Sequence, residues 1–575
     1  MRILLVVSAF NSLTQRVLVE LRDCGHQLAV QIAFDDDALR KAVQRHRPEL
    51  ILAPMLKSAI PHDVWSAYRC LIVHPGPVGD RGPSSLDWAL QEGTRQWGVT
   101  VLEAGEVMDG GDVWATVPFS LTEKVAKSDL YRGEVADAAM EAVQLAVERV
   151  GSGTYVPTCQ SRMAAPGRTR PYFDQRRRRI DWRADSTATV LRALRAADSQ
   201  PGVLDELCGA EWFLHGGHPE ERLRGRPGEL LATRAGAVCR ATVDGAVWIP
   251  ELRARRRPGG PPRVKLPAVL ALGASLPDLA VAEEPAEDGE TWKDIRYRED
   301  GPVGMLGFSF PGGAMSTGHC RRLLAAYRHA CARPTSVLVL GGGRDFFSNG
   351  IHLGVIEAAD DPVAESFANI HAMDDLVEAV LSTTDRITVA ALGGNAGAGG
   401  AMLALAADEV WCRSGVVLNP HYRLMGLYGS EYWTYTLPRR VGPDAARRLT
   451  GEALPVSTAA AERLGLVDRI IHCGPSDFTE RATALAVRTA AQPSTQQRIA
   501  EKKGRFADEQ SVKPLDVYRQ EEIARMSATF LDPRAPYHAL RRAFVHKERP
   551  TADPEQLRAL NSGRTAGQAG GRPSR

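Results

Sequence analysis

Short apolar runs at residues 3–8, 28–33, 50–53, 71–73 and 99–103 alternate with stretches of helical periodicity, 14–24 and 38–46, whose outer faces are charged. This βαβ rhythm constrains the first 120 residues more than any other feature, because it requires an open, mostly parallel sheet. The turn after the first run reads Ser8-Ala9-Phe10-Asn11-Ser12 and contains no GxGxxG, so a dinucleotide site loses its main support.

The rhythm does not extend along the whole chain. At 575 residues the chain exceeds one hydrophobic core, and roughly three or four folding units are expected. Residues 171–265 combine a helix candidate at 187–197 with short alternating strands at 237–243 and 247–252, a small β-rich module. The basic run at 176–179 reads as solvated surface. Residues 266–290, rich in Pro, Ala, Glu and Asp without periodicity, read as a linker. From residue 291, strands at 337–340 and 388–391 alternate with long helices at 371–382 and 477–491. The polar end from residue 549 is too poor in large apolar side chains to offset its ordering entropy and reads as a mobile tail. The resulting division is 1–165, 166–265, a linker 266–290, 291–548 and a tail 549–575.

Composition excludes several classes. A net charge of +2 supplies no basic field for nucleic acid. Nine cysteines without a CxxC make neither a disulfide framework nor a zinc site, and no metal site is expected. No run approaches 18 apolar residues, so no membrane span is expected, and the N-terminal run reads as a strand of a cytoplasmic protein.

The richest stretch for chemistry is His74-Pro75-Gly76-Pro77-Val78-Gly79-Asp80-Arg81-Gly82-Pro83-Ser84, followed downstream by Asp109-Gly110-Gly111-Asp112. A histidine ending a parallel strand beside a Gly/Pro loop sits where open α/β sheets place ligands. On these residues the first 120 positions resemble the N10-formyltetrahydrofolate-dependent formyltransferases. The module with Ile180-Asp181-Trp182 and Gly228-Glu229-Leu230 resembles the C-terminal barrel of methionyl-tRNA formyltransferase. The resemblance implies a Rossmann-like formyltransferase domain and a small barrel-like β domain, catalytic roles for His74 and Asp109, and folate contacts at Met55 and Lys57. The family's Asn-x-His triplet is here Ile72-Val73-His74, without the amide that helps hold the formyl oxygen. A thiol acceptor, partly thiolate near neutral pH, needs that help less than an amine does.

The third block holds Phe347-Ser348-Asn349-Gly350-Ile351-His352-Leu353 and Gly394-Asn395-Ala396-Gly397-Ala398-Gly399-Gly400-Ala401. Two glycine turns of this kind can aim two backbone N–H groups at one oxygen. Together with Thr450-Gly451-Glu452-Ala453 and Gly465-Leu466-Val467-Asp468 they resemble the crotonase (enoyl-CoA hydratase/isomerase) superfamily. The resemblance implies a crotonase fold, oxyanion donors at the N–H groups of Ile351 and Gly399, and coenzyme A binding around Gly350 and Gly400. Where hydratases carry two water-activating glutamates this chain has Met402 and Tyr422, and a carboxylate stands instead at Glu431. Tyr422 and Glu431 form a candidate acid/base pair, with His421 a third candidate.

A formyltransferase-like half fused to a crotonase-like half resembles the HoxX-type maturation proteins of [NiFe]-hydrogenases. That resemblance implies formyl transfer from N10-formyl-tetrahydrofolate to coenzyme A and decarbonylation of formyl-CoA to carbon monoxide. The hydrogenase large subunit or its maturation complex would be the partner, and the CO an iron ligand. The alternatives are formyl transfer to a protein or small amine, with the crotonase half only binding CoA, and a non-catalytic carrier or scaffold.

Overall fold

The structure, a computed structural model, describes residues 1–562 except 123, 164, 257–258, 261–262, 284–288, 345 and 549–552. The chain divides into two compact units, Met1–Lys293 with Pro550–Leu557, and Asp294–Arg549 with Arg558–Arg575.

In the first unit the apolar runs become strands β1 (Arg2–Val7), β2 (Gln27–Ile32), β3 (Leu50–Met55), β4 (Cys70–His74), β5 (Gln96–Glu103) and β6 (Val113–Ser120), in the order β2-β1-β3-β4-β5-β6. The β2-β1-β3-β4 part is parallel, as the rhythm predicts, while β5 and β6 run antiparallel to their neighbours. Strand β1 is buried from Ile3 to Val7, as a strand covered on both faces must be. Without a glycine turn, the helix Ser12–Asp23 starts on a side-chain cap: Asn11 accepts the Thr14 N–H at 3.0 Å.

The β-rich module consists of two four-stranded sheets with the helix Thr187–Ala197. Trp182 is buried in its core, with the Arg240 guanidinium 4.1 Å over its ring. Three expectations fail around it. Residues 266–272 are not linker: Lys265–Pro267 is a strand paired with Glu251–Ala254, and the helix Ala268–Leu272 buries Ala268 and Leu272 in the module. Thr291 and Trp292 also belong to this first unit, since Thr291 hydrogen-bonds Glu220 and Trp248 and Trp292 packs with Trp248. Within the basic run, Arg178 is buried rather than solvated, paired with Asp87 and set against the Phe173 ring. One nitrogen donates to Asp87 and another to the Phe173 carbonyl, and a planar guanidinium paired in this way tolerates such burial.

The second unit is built on a six-stranded sheet in the order Ile295–Asp300, Val303–Phe308, Val337–Gly342, Ile387–Leu392, Glu409–Arg413, Arg469–Ile471. It is parallel from Val303–Phe308 onward. The helix Pro362–Leu381 packs on the helix Thr317–Cys331 and supplies Met373, Leu376 and Val377 to the core. Leu515–Leu531 packs in turn on Pro362–Leu381. Of the predicted tail, residues 555–561 form a helix, Glu555–Asn561, with Leu557 buried. The rest of that prediction, 549–552 and 563–575, lies outside the described residues. Among the described residues no helix is long and apolar enough to cross a membrane.

Candidate active sites

Each unit carries one constellation. In the first, His74 is the last residue of β4 and is buried. Asp109, in the loop between β5 and β6, brings Oδ1 to 3.5 Å from His74 Nδ1. The loop is shaped for this. Asp109 has a left-handed backbone (φ 53°), its Oδ2 accepts the Gly82 N–H at 3.2 Å, and the Gln160 amide donates to the carbonyls of Asp109 and Gly111. A Cβ at Gly111 would collide with the Glu103 carbonyl, which explains that glycine of the Asp-Gly-Gly turn.

The sequence motif did not single out Asp80. Its Oδ2 lies 2.9 Å from His74 Nε2, and its Oδ1 is 2.5 Å from Arg170, whose second nitrogen reaches Glu92 at 2.9 Å. The available signal was position, since Asp80 lies in the same Gly/Pro loop. That loop can fold back on the imidazole because Gly76 has no Cβ; one there would collide with His74 Nε2 and Asp80 Oδ2. Met55 ends β3, its carbonyl accepting the Ser8 N–H at 2.8 Å, and the exposed Lys57 donates its N–H to Ser8 Oγ at 2.8 Å. Both stand at the same C-terminal strand edge as His74.

In the second unit the two glycine turns meet. Ser348 forms a parallel bridge with Ala396, its carbonyl accepts the Gly397 N–H at 2.8 Å, and a Cβ at Gly350 would stand 3.0 Å from the Gly399 nitrogen. A Cβ at Gly400 would collide with the Ser348 carbonyl. Neither the Ile351 nor the Gly399 N–H has a hydrogen-bond acceptor among the described residues. Gly399 opens the helix Gly399–Leu405, so its N–H lies at the positive end of that short dipole.

Glu431 faces this turn closely enough that a Cβ at Gly399 would collide with its carboxylate. Its Oε2 accepts the Tyr422 hydroxyl at 2.7 Å and the Ser430 N–H at 3.1 Å, and both side chains are buried. Burial pushes the Glu431 carboxyl above its ordinary range, with the Tyr422 and Ser430 hydrogen bonds acting against it. Burial and then the neighbouring Glu431 push the Tyr422 phenol well up, so it keeps its proton and donates. Met402 is fully buried in the apolar core, 4.0 Å from Thr436 Oγ1, and offers no base for water. His421 is bound at Nδ1 to the Asn419 carbonyl at 2.7 Å, and burial lowers its affinity for a proton. Asp374 and Glu522, which also touch the Glu431 turn, left no mark in the sequence, because they come from helices 57 and 90 residues away.

The formyl transferase family model matches residues 3–147 and its C-terminal domain model 173–259, while the enoyl-CoA hydratase/isomerase model matches 314–558. The chain is 46% identical over 574 residues to the hydrogenase maturation factor HoxX of Bradyrhizobium diazoefficiens, covering 100% of this chain and 99% of that protein. It is similar to the crystal structure of HypX from Aquifex aeolicus in complex with tetrahydrofolic acid, with 41% identity, a TM-score of 0.92, and 97% and 98% of the two chains covered. A methionyl-tRNA formyltransferase of Variovorax paradoxus is 24% identical over 232 residues, 39% of this chain and 70% of that one.

Proposed function

Because the chain belongs to the HoxX family of hydrogenase maturation factors, we propose that it makes carbon monoxide in two steps, moving formyl from N10-formyl-tetrahydrofolate to coenzyme A and decarbonylating the formyl-CoA. The CO serves as an iron ligand of a [NiFe]-hydrogenase in the cytoplasm, with the hydrogenase large subunit or its maturation complex as recipient.

For the first step, Asp80 occupies Nε2 of His74, so Nδ1, with 3.5 Å to Asp109, is the nitrogen with room for a substrate atom. Because the Asp80 carboxylate can only accept, an N–H at Nδ1 means the imidazolium; in that form it stabilises charge on the formyl oxygen as the acceptor attacks, and Asp109 relays the proton. Met55 and Lys57 lie at the strand edge where the folate would be held. Ile72 leaves no side-chain amide beside the reacting carbonyl, which fits a thiol acceptor.

For the second step, formyl-CoA is bound with its carbonyl oxygen toward the Ile351 and Gly399 N–H groups, and Gly350 and Gly400 permit the close backbone approach. Glu431 removes the formyl proton, the C–H electron pair stays on carbon, the C–S bond breaks, and the protonated Glu431 returns the proton to sulfur. The products are CO and CoA-SH, with no oxidant or reductant required. A carboxylate raised by burial is the stronger base, and Tyr422 holds it in place.

The observation that carries this reading is the Tyr422–Glu431 pair beside Gly399, with Met402 where a hydratase would activate water. Purified protein given formyl-tetrahydrofolate and CoA should release CO into the headspace. Label from the formyl donor appearing on an amine or on methionyl-tRNA would favour formyl transfer alone, and no turnover would favour a carrier.

A further inference from the structure

Glu431 and Tyr432 are consecutive non-glycine residues with left-handed backbones, φ 60° and 57°. Such residues are strained and persist where surrounding contacts over-determine them. Here the contacts are two buried carboxylates from different helices. Asp374, on Pro362–Leu381, accepts the Glu431 N–H at 2.8 Å. Glu522, on Leu515–Leu531, accepts the Tyr432 N–H at 2.9 Å, and with its other oxygen the Thr434 N–H at 2.8 Å and the Thr434 hydroxyl at 2.5 Å. From 430 to 434 every backbone N–H except that of Trp433, which reaches the Ser430 carbonyl at 3.4 Å, meets a carboxylate.

Placing Asp374 and Glu522 there is costly. Burial, and then the charge of Glu431, pushes the Asp374 carboxyl well up; burial pushes Glu522 up to about 7. Asp374 is 1% exposed, its Oδ2 accepts no hydrogen bond among the described residues, and Arg519 Nε stands 3.9 Å away. Apolar residues in their place would leave the Glu431, Tyr432 and Thr434 N–H groups buried without acceptors, so the two carboxylates are what lets this turn persist. The same helix supports the other side of the site: Asn369, one helical turn and a half before Asp374, accepts the His352 N–H at 3.0 Å, directly after the Ile351 donor.

We propose that Asp374 and Glu522 are positioning residues that clamp the 431–434 backbone and so aim the Glu431 carboxyl at the group held by Ile351 and Gly399. This rests on the decarbonylation reading of the second unit. A carboxylate displaced by about 1 Å from the reacting atom loses up to a hundredfold in rate. The clamp therefore acts on the chemical step and not on how tightly the thioester is bound.

The test uses the full chain and two readouts. In Asp374→Ala, amide hydrogen exchange across residues 431–434 should speed up about tenfold or more, and kcat for CO from formyl-CoA should fall by about tenfold to a hundredfold with KM unchanged. Asp374→Asn keeps an oxygen on the Glu431 N–H and should recover most of both. Glu522→Ala, which frees the Tyr432 and Thr434 amides, gives the same pattern should Asp374→Ala not fold. Unchanged exchange in both alanine variants, or a loosened turn with full kcat, would overturn the inference while Glu431→Gln still tests the reading beneath it. Wild-type protein making no CO from formyl-CoA would overturn that reading, and the exchange data would still decide whether the two carboxylates hold the turn.

Discussion

His74 Nε2 lies 2.9 Å from Asp80 Oδ2, so the imidazole is committed on one edge and approached by Asp109 on the other. Asp80 is in turn held by Arg170. Asp80→Ala takes away the acceptor and leaves Arg170 with Glu92, which should cost about 2 kcal/mol in urea unfolding of the full chain. Folate-dependent CO formation should fall as well, because the ring is then free to turn away from Asp109.

His74→Ala removes the donor to the formyl oxygen and should lower folate-dependent CO formation by about a hundredfold or more. Formyl-CoA supplied directly should bypass the defect. Unchanged consumption of formyl-tetrahydrofolate would remove His74 from this role.

Gly76→Ala is a steric counterpart. The added methyl would collide with both His74 Nε2 and Asp80 Oδ2, forcing the pair apart. Folate-dependent turnover should drop by at least about tenfold, while CO from formyl-CoA stays at the wild-type rate. Equal loss on both substrates would mean a folding defect, read directly from the melting temperature.

Glu431→Gln preserves shape but removes the base, so CO from formyl-CoA should fall by about a hundredfold or more while CoA binding, followed by calorimetry, persists. Tyr422→Phe removes one hydrogen bond, worth about 1 kcal/mol, and should do less harm. Met402→Glu should move product from CO toward formate by supplying a base for water, at a cost in stability because the position is fully buried. If Glu431→Gln keeps the full rate, His421 is the next residue to substitute.

Stability should depend on pH through Glu522. Its carboxyl, pushed up to about 7 chiefly by burial, binds its proton more tightly in the folded than in the unfolded chain. The resulting stabilisation is fully present below the ordinary glutamate value of about 4.3 and is lost as pH rises through about 7, a change of about 4 kcal/mol. Urea midpoints measured from pH 4 to 8 should show this decline, and Glu522→Gln should lessen it, the raised Glu431 and Asp374 carboxyls supplying what remains.

What the sequence made legible was local. The apolar runs became β1 to β5 with small shifts at their ends, and the glycine turns at 350 and 399 came together because close backbone approach was the reason for the glycines. His74 met Asp109, and Tyr422 met Glu431. The antiparallel turn of β5 and β6 was hidden because an apolar run carries no direction. Arg178 was misread because a basic run looks the same whether it faces water or Asp87. Asp374 and Glu522 were invisible for a related reason: an acidic residue on a helix reads as solvent-facing until the fold brings a strained turn to it.

Asn369 and Asp374 share the helix Pro362–Leu381, one holding the turn that carries the Ile351 N–H and the other the turn that carries Glu431. Inserting or deleting a single residue between them would rotate one against the other by about 100° and shift it by about 1.5 Å. Such a change would leave a perfectly good helix and a broken alignment. An exposed position such as Ala364 can change its side chain, but the interval from 369 to 374 is a ruler whose length cannot change.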